Sequence, residues 1–567
     1  MQKRWVIKDD LNQEVLSALS EQLDISSSLA GLLVQRDINS FNEAKAFFRP
    51  NIDQMHDPFL MKDMDKAVNR LTEAIGNEEN ILVYGDYDVD GTTSVATFFG
   101  FLSQFYDKLE YYIPDRYKEG YGVSEEGIKY AAENGYTLIV TLDCGIKAVD
   151  KIALAKKSGI DVIICDHHTP GEKLPEAFAI LDPKREDCDY PYKELSGCGV
   201  GFKLLHGFSV QSGVDLNILF DYLDLLAVSI ASDIVPLTGE NRVMAHFGLK
   251  KLNSSPRPGL QALLDLCRGN KHMTISSIVF GIGPRINAAG RMDHAGSAVE
   301  LLLAKNQEDA KLLADTVNTK NDARRDFDSS ITEEAIEMIS TNDALSKAKS
   351  TVLFKDSWHK GVIGIVASRC IEKFYRPTVI LTESNDKVTG SARSVDGFNV
   401  YEAISECSEL LDQFGGHMYA AGVTMPVDNV DAFRIKFEEV VSKKITKDQL
   451  TPSIYVDSIL DLEEIDRKFY NIISQMAPFG PKNMQPLFVT KNIQASNVKL
   501  LKEQHLKFTA KQAGTNIAIE AIGFGLGDYY DLVNCGLEFG MAFTIEENDF
   551  RGQNTLQLFV KDIKFED

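Results

Sequence analysis

The chain has no excess of positive charge. Its 60 basic residues face 83 acidic ones, a formal net charge of −23 over 567 residues. This excludes a surface that gathers polyanions everywhere. A nucleic-acid ligand needs a local basic groove or bound cations, against a repelling average field. Enzymes that gather carboxylates around metal ions are not excluded. No apolar run is long enough to span a bilayer, and even Leu225–Ala231 (LLAVSIA) is far too short. The opening residues, MQKRWVIKDDLNQ, have two early basic residues but no apolar stretch behind them. No signal peptide and no membrane partner are expected, and a cytoplasmic location is. The 8 cysteines contain no CxxC pair, so neither a disulfide framework nor a thiolate zinc site is expected. Cys144 and Cys165, at the ends of predicted strands, read as buried structural thiols. There is no internal repeat and no low-complexity tract. With 44% apolar and 25% charged residues, the composition is that of a globular protein, not a disordered, collagen-like or coiled-coil one. At about 150 residues per domain, the length suggests roughly three or four domains.

The first 50 residues read as helical, with Ser40 and Glu43 as a capping box ahead of a helix that ends at Arg49-Pro50. From about residue 80, strands alternate with helices. Strands are expected at 81–84, 109–113, 136–142, 161–165 and 178–181. Helices are expected at 92–105, 125–133 and 147–157. The pattern is that of a doubly wound parallel sheet. Residues from about 199 to 345 read mainly as helices, with a long polar, exposed helix over 319–339. A second α/β unit begins near 350, with strands at 351–354 and 378–382 around a helix at 362–374. After about 450, regular short strands suggest a small OB-like barrel.

The densest chemistry is Gly85-Asp86-Tyr87-Asp88-Val89-Asp90-Gly91. Three carboxylates lie in five residues, between a strand and a helix. An acidic surface turn would use the same residues. Two further strand ends argue against that. Asp143 follows the apolar strand that ends at Leu142. Asp166, His167 and His168 follow the strand that ends at Cys165. Neighbouring parallel strands bring their carboxyl ends together, where ligands of open α/β sheets bind. Asp233 ends an apolar helix. So many anions need cations or strong donors to offset their repulsion. Hard oxygen ligands with one or two imidazoles favour Mn2+ or Mg2+.

These stretches resemble the motifs of the DHH phosphoesterase superfamily. GIGPRINAAGRM (281–292), WHKGVIGIVASR (358–369), GSARSVDGFNVYEAI (390–404) and FGGHMYAAG (414–422) narrow the resemblance to the RecJ family of single-strand-specific 5′→3′ exonucleases. MAPFGPKNMQPLF (476–488) and HLKF (505–508) resemble that family's OB-type segment. The resemblance covers nearly the whole chain. It implies an N-terminal helical segment (1–50), a DHH catalytic domain (51–318), a connecting helix (319–349), a DHHA1-like domain (350–445) and an OB-like nucleic-acid-binding domain (446–567). It also implies two divalent cations, Mn2+ or Mg2+, on Asp88, Asp90, Asp143, His167 and Asp233. Asp143 would bridge them, and His168 would face the scissile phosphate. Whether Asp86 is a direct ligand stays open. Tyr84 stands where pyrophosphatase relatives carry a ligand histidine, which leaves one metal with fewer protein ligands. Two cations about 3.5–4 Å apart clamp the attacking and leaving oxygens of an in-line displacement.

Ser391, Arg393 and a Gly415-Gly416-His417 turn resemble the pocket for the 5′-terminal phosphate. Arg116 resembles another phosphate contact, and Arg285, Asn287 and Arg291 a DNA-contacting segment. Trp358 and His359 either stack on DNA or pack at a strand end. Lys482-Asn483-Met484 replaces the family's usual Gly-Asn-Pro turn, which puts the turn geometry of the OB-type segment in doubt. The implied function is degradation of single-stranded DNA from the 5′ end in DNA repair and recombination. Single-strand-binding protein and a RecQ-type helicase are implied partners. The alternatives are a DHH-family phosphodiesterase for short oligonucleotides or small phosphoesters, and a non-catalytic single-strand-binding relative.

Overall fold

A computed structural model describes residues 3–8, 11–267, 272–384, 386–550 and 553–565. The chain forms two compact units. One is Ala46–Arg324 with Ala477–Met484; the other is Met1–Lys45, Arg325–Met476 and Gln485–Asp567.

The first unit holds a five-stranded, all-parallel sheet. Its order across the sheet is Leu109–Tyr112, Ile81–Gly85, Leu138–Leu142, Asp161–Cys165, Ala179–Leu181. Strand residues alternate between two cores. Ile81, Val83, Leu138, Val140, Ile163 and Cys165 pack on one face. Leu82, Tyr84, Ile139, Val162 and Ile164 pack on the other. Burial on both faces explains why these strands read as unbroken apolar runs rather than alternating ones. The helices Met64–Gly76, Val89–Leu102 and Gly197–Ser212 cover the first face. Glu125–Glu133 and Val149–Lys157 cover the second. The sheet is doubly wound, as expected. Its strand order reverses between Ile81–Gly85 and Leu138–Leu142, and the carboxyl ends there form the crevice where such folds bind ligands.

The second unit contains a mixed five-stranded sheet in the order Gln413–His417, Ala420–Met425, Lys387–Arg393, Thr378–Ser384, Thr351–Phe354. The helices Val400–Ser405 and Val430–Lys444 cover one face, and Ile363–Phe374 lies with the other. Further along the same unit, Phe488–Leu501, His505–Gln512, Ala518–Gly523, Gln553–Lys564 and Phe539–Phe550 pair in sequence, and the last pairs back onto the first. This closes a five-stranded barrel with Phe488, Phe508, Phe539 and Phe543 inside.

Several boundaries differ from expectation. The N-terminal segment is not purely helical. Arg4–Ile7 is a strand paired in parallel with Ser453–Val456, and Trp5 donates from Nε1 to Asp562 Oδ2 at 2.7 Å. Nonlocal pairing overrides the helical reading there. The long helix runs over Gln307–Thr341, starting twelve residues before 319. It is not exposed all round: Ala310, Ala314, Val317, Ala335 and Ile339 are buried. The Ser40–Glu43 capping box is altered too. Glu43 N–H donates to Ser40 Oγ at 3.3 Å, and the Glu43 carboxylate accepts chiefly from the N–H of Asn39, at 2.8 Å, with Ser40 N–H the weaker donor.

The segment Ala477–Met484 belongs with the first unit and not with the barrel. Leu237 N–H donates to Pro481 O at 2.8 Å. Arg242, 4% exposed, donates to Ala477 O at 3.0 Å and Pro478 O at 3.4 Å. Gly480 and Asn483 exchange backbone hydrogen bonds of 3.0 and 2.9 Å, with Lys482 in the left-handed region at φ 62°. The unusual Lys482-Asn483-Met484 sequence thus closes a tight turn, and Asn483 Nδ2 holds Pro478 O at 2.8 Å.

Candidate functional site

Asp88 is the N-cap of Val89–Leu102, and its Oδ1 accepts the Gly91 N–H at 3.0 Å. Asp90 lies in the first turn of that helix, where the helix dipole favours a carboxylate. Asp90 also faces the start of Gly197–Ser212. Its Oδ2 accepts from Gly197 N at 2.7 Å, and its Oδ1 accepts from Cys198 N at 2.9 Å and Ser229 Oγ at 2.6 Å. Three donors therefore fix this side chain. Asp86 is fully buried; its Oδ1 takes the Tyr87 N–H at 2.8 Å, and its Oδ2 has no hydrogen-bond partner.

Asp143 leaves its strand in the left-handed region at φ 60°. Its Oδ1 is buried without a hydrogen bond, 3.2 Å from His167 Nε2. His167 Nε2 is also 3.5 Å from Asp233 Oδ2 and 3.9 Å from Asp90 Oδ2. Asp233 caps the carboxyl end of Leu223–Ser232, as expected. The donor atoms fall into three groups, each within 4.8 Å: Asp86, Asp88 and Asp143; Asp90, His167 and Asp233; Asp143, His167 and His168. These groups could hold metal ions. Buried, unpaired Asp86 Oδ2, Asp143 Oδ1 and His167 Nε2 fit hard divalent cations.

The electrostatics agree. Burial, then the charge of Asp88, pushes Asp86 up to about 8. Burial and neighbouring carboxylates push Asp88, Asp143 and Asp233 up as well. Burial pulls His167 down, so it offers a neutral imidazole. His168 behaves differently. Burial pulls it down, but the hydrogen bond and charge of Asp166 lift it to about 9. Asp166 Oδ1 accepts from His168 Nδ1 at 2.7 Å, and Asp166 Oδ2 accepts from Ile146 N at 2.9 Å. The other ring nitrogen, Nε2, lies 3.1 Å from Tyr121 Oη. Sequence reasoning missed Tyr121, which sits in a loop with no motif around it. It also missed the orienting role of Asp166 and the donors to Asp90. The small-residue run Gly197-Cys198-Gly199 after Ser196 is the signal that could have exposed those donors. Tyr84 is not a ligand: its hydroxyl donates to Gly122 O at 3.1 Å and accepts from Ser124 N at 3.0 Å.

The basic residues divide. Arg116 lies over the Tyr87 ring, 4.9 Å from its centroid. The charges of Arg116 and Arg291 both act on Tyr87, between Asp86 and Asp88. Arg116 therefore flanks the acidic turn, and Gly290, next to Arg291 in the chain, packs against the Tyr87 carbonyl. Arg285 is directed elsewhere. It donates to Asn318 Oδ1 at 2.9 Å, Gly281 O at 2.7 Å and Leu266 O at 3.2 Å, and so braces its own helix, Gly283–Met292, rather than offering an open guanidinium. Asn287 is half-buried on the same helix.

Ser391 and Arg393 form a separate group in the other unit. Gly415–His417 is strand, not turn; the turn falls at residues 418–419. Sheet register places Ser391 beside Gly422 beside Gly415, and Arg393 beside Ala420 beside His417. Arg393 Nη1 donates to Ser391 Oγ at 2.9 Å and to Ala392 O at 2.8 Å. Burial pulls its pKa down, and among the described residues no carboxylate pairs with it. A half-buried guanidinium without an acid suits an incoming anion.

Three family models match the chain: the DHH family N-terminal domain over residues 80–230, the DHHA1 domain over 346–443 and the RecJ OB domain over 456–562. The single-stranded-DNA-specific exonuclease RecJ of Bacillus subtilis is 36% identical over 564 residues, spanning 99% of this chain and 70% of that protein. The same-named protein of Escherichia coli is 31% identical, spanning 89% of this chain and 90% of that one. The crystal structure of RecJ in complex with Mn2+ from Thermus thermophilus superimposes with a TM-score of 0.84 at 25% identity, covering 100% of this chain and 80% of that one.

Proposed function

The chain belongs to the RecJ family of single-stranded-DNA-specific exonucleases, and on that premise we propose that it removes nucleotides from the 5′ end of single-stranded DNA by phosphodiester hydrolysis. The observation that carries this reading is the convergence of Asp86, Asp88, Asp90, Asp143, His167 and Asp233 at the switch point of the parallel sheet. Two divalent cations, Mn2+ or Mg2+, are its cofactors. Asp88 and Asp143, with Asp86 beside them, would hold one; Asp90, His167 and Asp233 would hold the other, with Asp143 shared. When bound, such a pair offsets the charge of the phosphate and lowers the pKa of a coordinated water.

The chain's own groups do the rest. The donors on Asp90 keep its carboxylate from rotating. His168 carries a proton at neutral pH, because Asp166 holds Nδ1–H; its Nε2–H points outward to a phosphate oxygen or to Tyr121. That proton stabilises charge on the reacting phosphate. Arg116 and Arg291 flank the strand's backbone beside Tyr87. Ser391 and Arg393 take the 5′-terminal phosphate, which makes the enzyme start at ends. The barrel after residue 485 holds the strand further along, by stacking and backbone contacts. No covalent enzyme intermediate is needed, and the product is a 5′-mononucleotide.

The setting we propose is cytoplasmic DNA repair and recombination, with single-strand-binding protein and a RecQ-type helicase as partners. The 8 cysteines are all unpaired, which fits a reducing compartment. Among the described residues no helix is long and apolar enough to cross a membrane. Digestion of single strands labelled at either end, with and without Mn2+, tests the reading. Release of 5′-mononucleotides from the 5′ end, dependent on metal, is the expected result. Release from the 3′ end, or metal-independent cleavage, would overturn it.

A further inference from the structure

Trp358 and His359 separate cleanly. Trp358 is 4% exposed, and its Nε1 donates to Glu334 Oε2 at 2.8 Å, so it packs. His359 turns to Phe327. The two rings stack at 5.0 Å between centroids, 22° from parallel. Phe327 lies on the long helix Gln307–Thr341 among polar neighbours, Arg325, Asp326, Asp328 and Ser329. Although stacked on one face, it is 43% exposed. His359 Nδ1 accepts the Gly361 N–H at 3.1 Å, and burial pulls the imidazole pKa down. The backing ring is therefore neutral, with its proton on Nε2.

This pair adjoins the Arg393 group. His359 O accepts the Val362 N–H at 3.1 Å, and the helix Ile363–Phe374 begins at the next residue. In its first turn, a Cβ on Gly364 would lie 2.8 Å from Arg393 Nη2 and 2.9 Å from Ser391 Oγ. Glycine at 364 thus lets the helix start press directly on the guanidinium. An exposed aromatic platform, a helix N-terminus and an acid-free arginine follow one another within one unit. A terminal nucleotide has the matching parts: a flat base and a charged phosphate.

We infer that Phe327, backed by His359, is a stacking platform for the base of the 5′-terminal nucleotide, whose phosphate lies at Arg393 and Ser391. The inference rests on the reading of Arg393 and Ser391 as the 5′-phosphate pocket. Every base has a π-face, so the platform accepts all four and gives positioning without sequence preference. Phe327 is a positioning residue and takes no part in bond breaking.

The test uses the full-length protein with Mn2+ and three single strands: a 5′-phosphorylated normal end, a 5′-phosphorylated abasic end and a 5′-hydroxyl normal end. In the wild type, removing the terminal base is expected to lower kcat/KM about 5- to 150-fold, the range for one base–aromatic stack. Phe327→Ala should lose about the same factor on the normal end, mainly through KM, and no longer distinguish normal from abasic ends. Phe327→Trp should restore the distinction. The preference for 5′-phosphate over 5′-hydroxyl should survive in Phe327→Ala and vanish in Arg393→Ala. If Phe327→Ala keeps the wild-type distinction between normal and abasic ends, the platform is wrong. An equal loss on normal and abasic ends, with a lowered Tm, would mark a packing contact and also overturn it. If Arg393→Ala keeps its phosphate preference, the pocket reading fails, whatever Phe327 does.

Discussion

A Cβ atom on Gly197 would lie 2.5 Å from both the Cβ and the Oδ1 of Asp143. No side chain fits there. The first residue of one helix thus sets where a carboxylate from a distant strand can stand, while its N–H holds Asp90. Gly197→Ala is expected to displace Asp143 and lower hydrolysis by on the order of 100-fold, the effect of misplacing a reacting group by about 1 Å. Rates on 5′-labelled single strands, beside circular dichroism of the folded variant, check this. A wild-type rate in Gly197→Ala would show that Asp143 has room to move.

Asp143→Ala should abolish hydrolysis with the fold intact, because this carboxylate belongs to two of the three candidate ligand groups. Without metal, the variant should have a higher Tm than the wild type, since one buried, repelled carboxylate is gone. Thermal unfolding in chelator, with and without added Mn2+, measures both effects. A metal-free Tm below that of the wild type would count against the repulsion argument.

The raised acids make metal-free stability depend on pH. A carboxyl raised in the folded state favours folding most where it is protonated in both states. Asp86, ordinarily 3.8 and here about 8, therefore contributes stability fully present below about 3.8 and lost as pH rises through about 8. Asp88, Asp143 and Asp233 act in the same direction. The metal-free Tm should fall as pH climbs through neutrality, and Mn2+ should cancel the fall. Binding of Mn2+ near pH 7 should also release protons, read by calorimetry in two buffers of different ionisation enthalpy.

Arg393→Ala should cost about 10- to 150-fold in kcat/KM on 5′-phosphorylated ends, the value of a charge-assisted contact. It should cost little on 5′-hydroxyl ends. Mn2+ affinity should stay as in the wild type, because Arg393 belongs to none of the candidate ligand groups. A variant with normal kinetics and weakened Mn2+ binding would remove Arg393 from the pocket.

Arg242→Ala should destabilise the catalytic unit by about 2–6 kcal/mol. It strands the carbonyls of Ala477 and Pro478, and buried unpaired groups cost about 1–3 kcal/mol each. For the same reason, a chain ending at 450 should unfold more easily in this unit than one ending at 484. Urea unfolding followed by near-ultraviolet circular dichroism compares them. Equal midpoints would mean that the 477–484 segment adds nothing.

The strands of the catalytic sheet were legible because burial on both faces leaves short apolar runs between turn residues. Strand 161–165 was placed to the residue. The acidic centre was legible because its candidate ligands Asp88, Asp143 and His167 stand next to those runs, with Asp166 beside His167. What failed was set by partners far along the chain. Arg4–Ile7 is a strand only because Ser453–Val456 lies beside it. Nothing in the sequence around Arg285 announces that Asn318 and two carbonyls take its guanidinium. Gly415–His417 reads as a turn because glycines usually mark turns, yet pairing with Ala420–Met425 makes it strand.

By itself the sequence determined the parallel sheet, the later barrel and which carboxylates and histidines stand at the strand ends. Those features follow from local periodicity and from residue types at strand ends, which short-range patterns encode. Only the tertiary structure decided which carboxylate oxygens stay unpaired, that Asp166 and Tyr121 hold His168, and that Ala477–Met484 leaves the barrel to pack on the catalytic unit. It alone brought Phe327 to His359, and Gly364 to Arg393. Each of these depends on a contact between residues remote in sequence, and burial and hydrogen bonding act on atoms near in space, however distant along the chain.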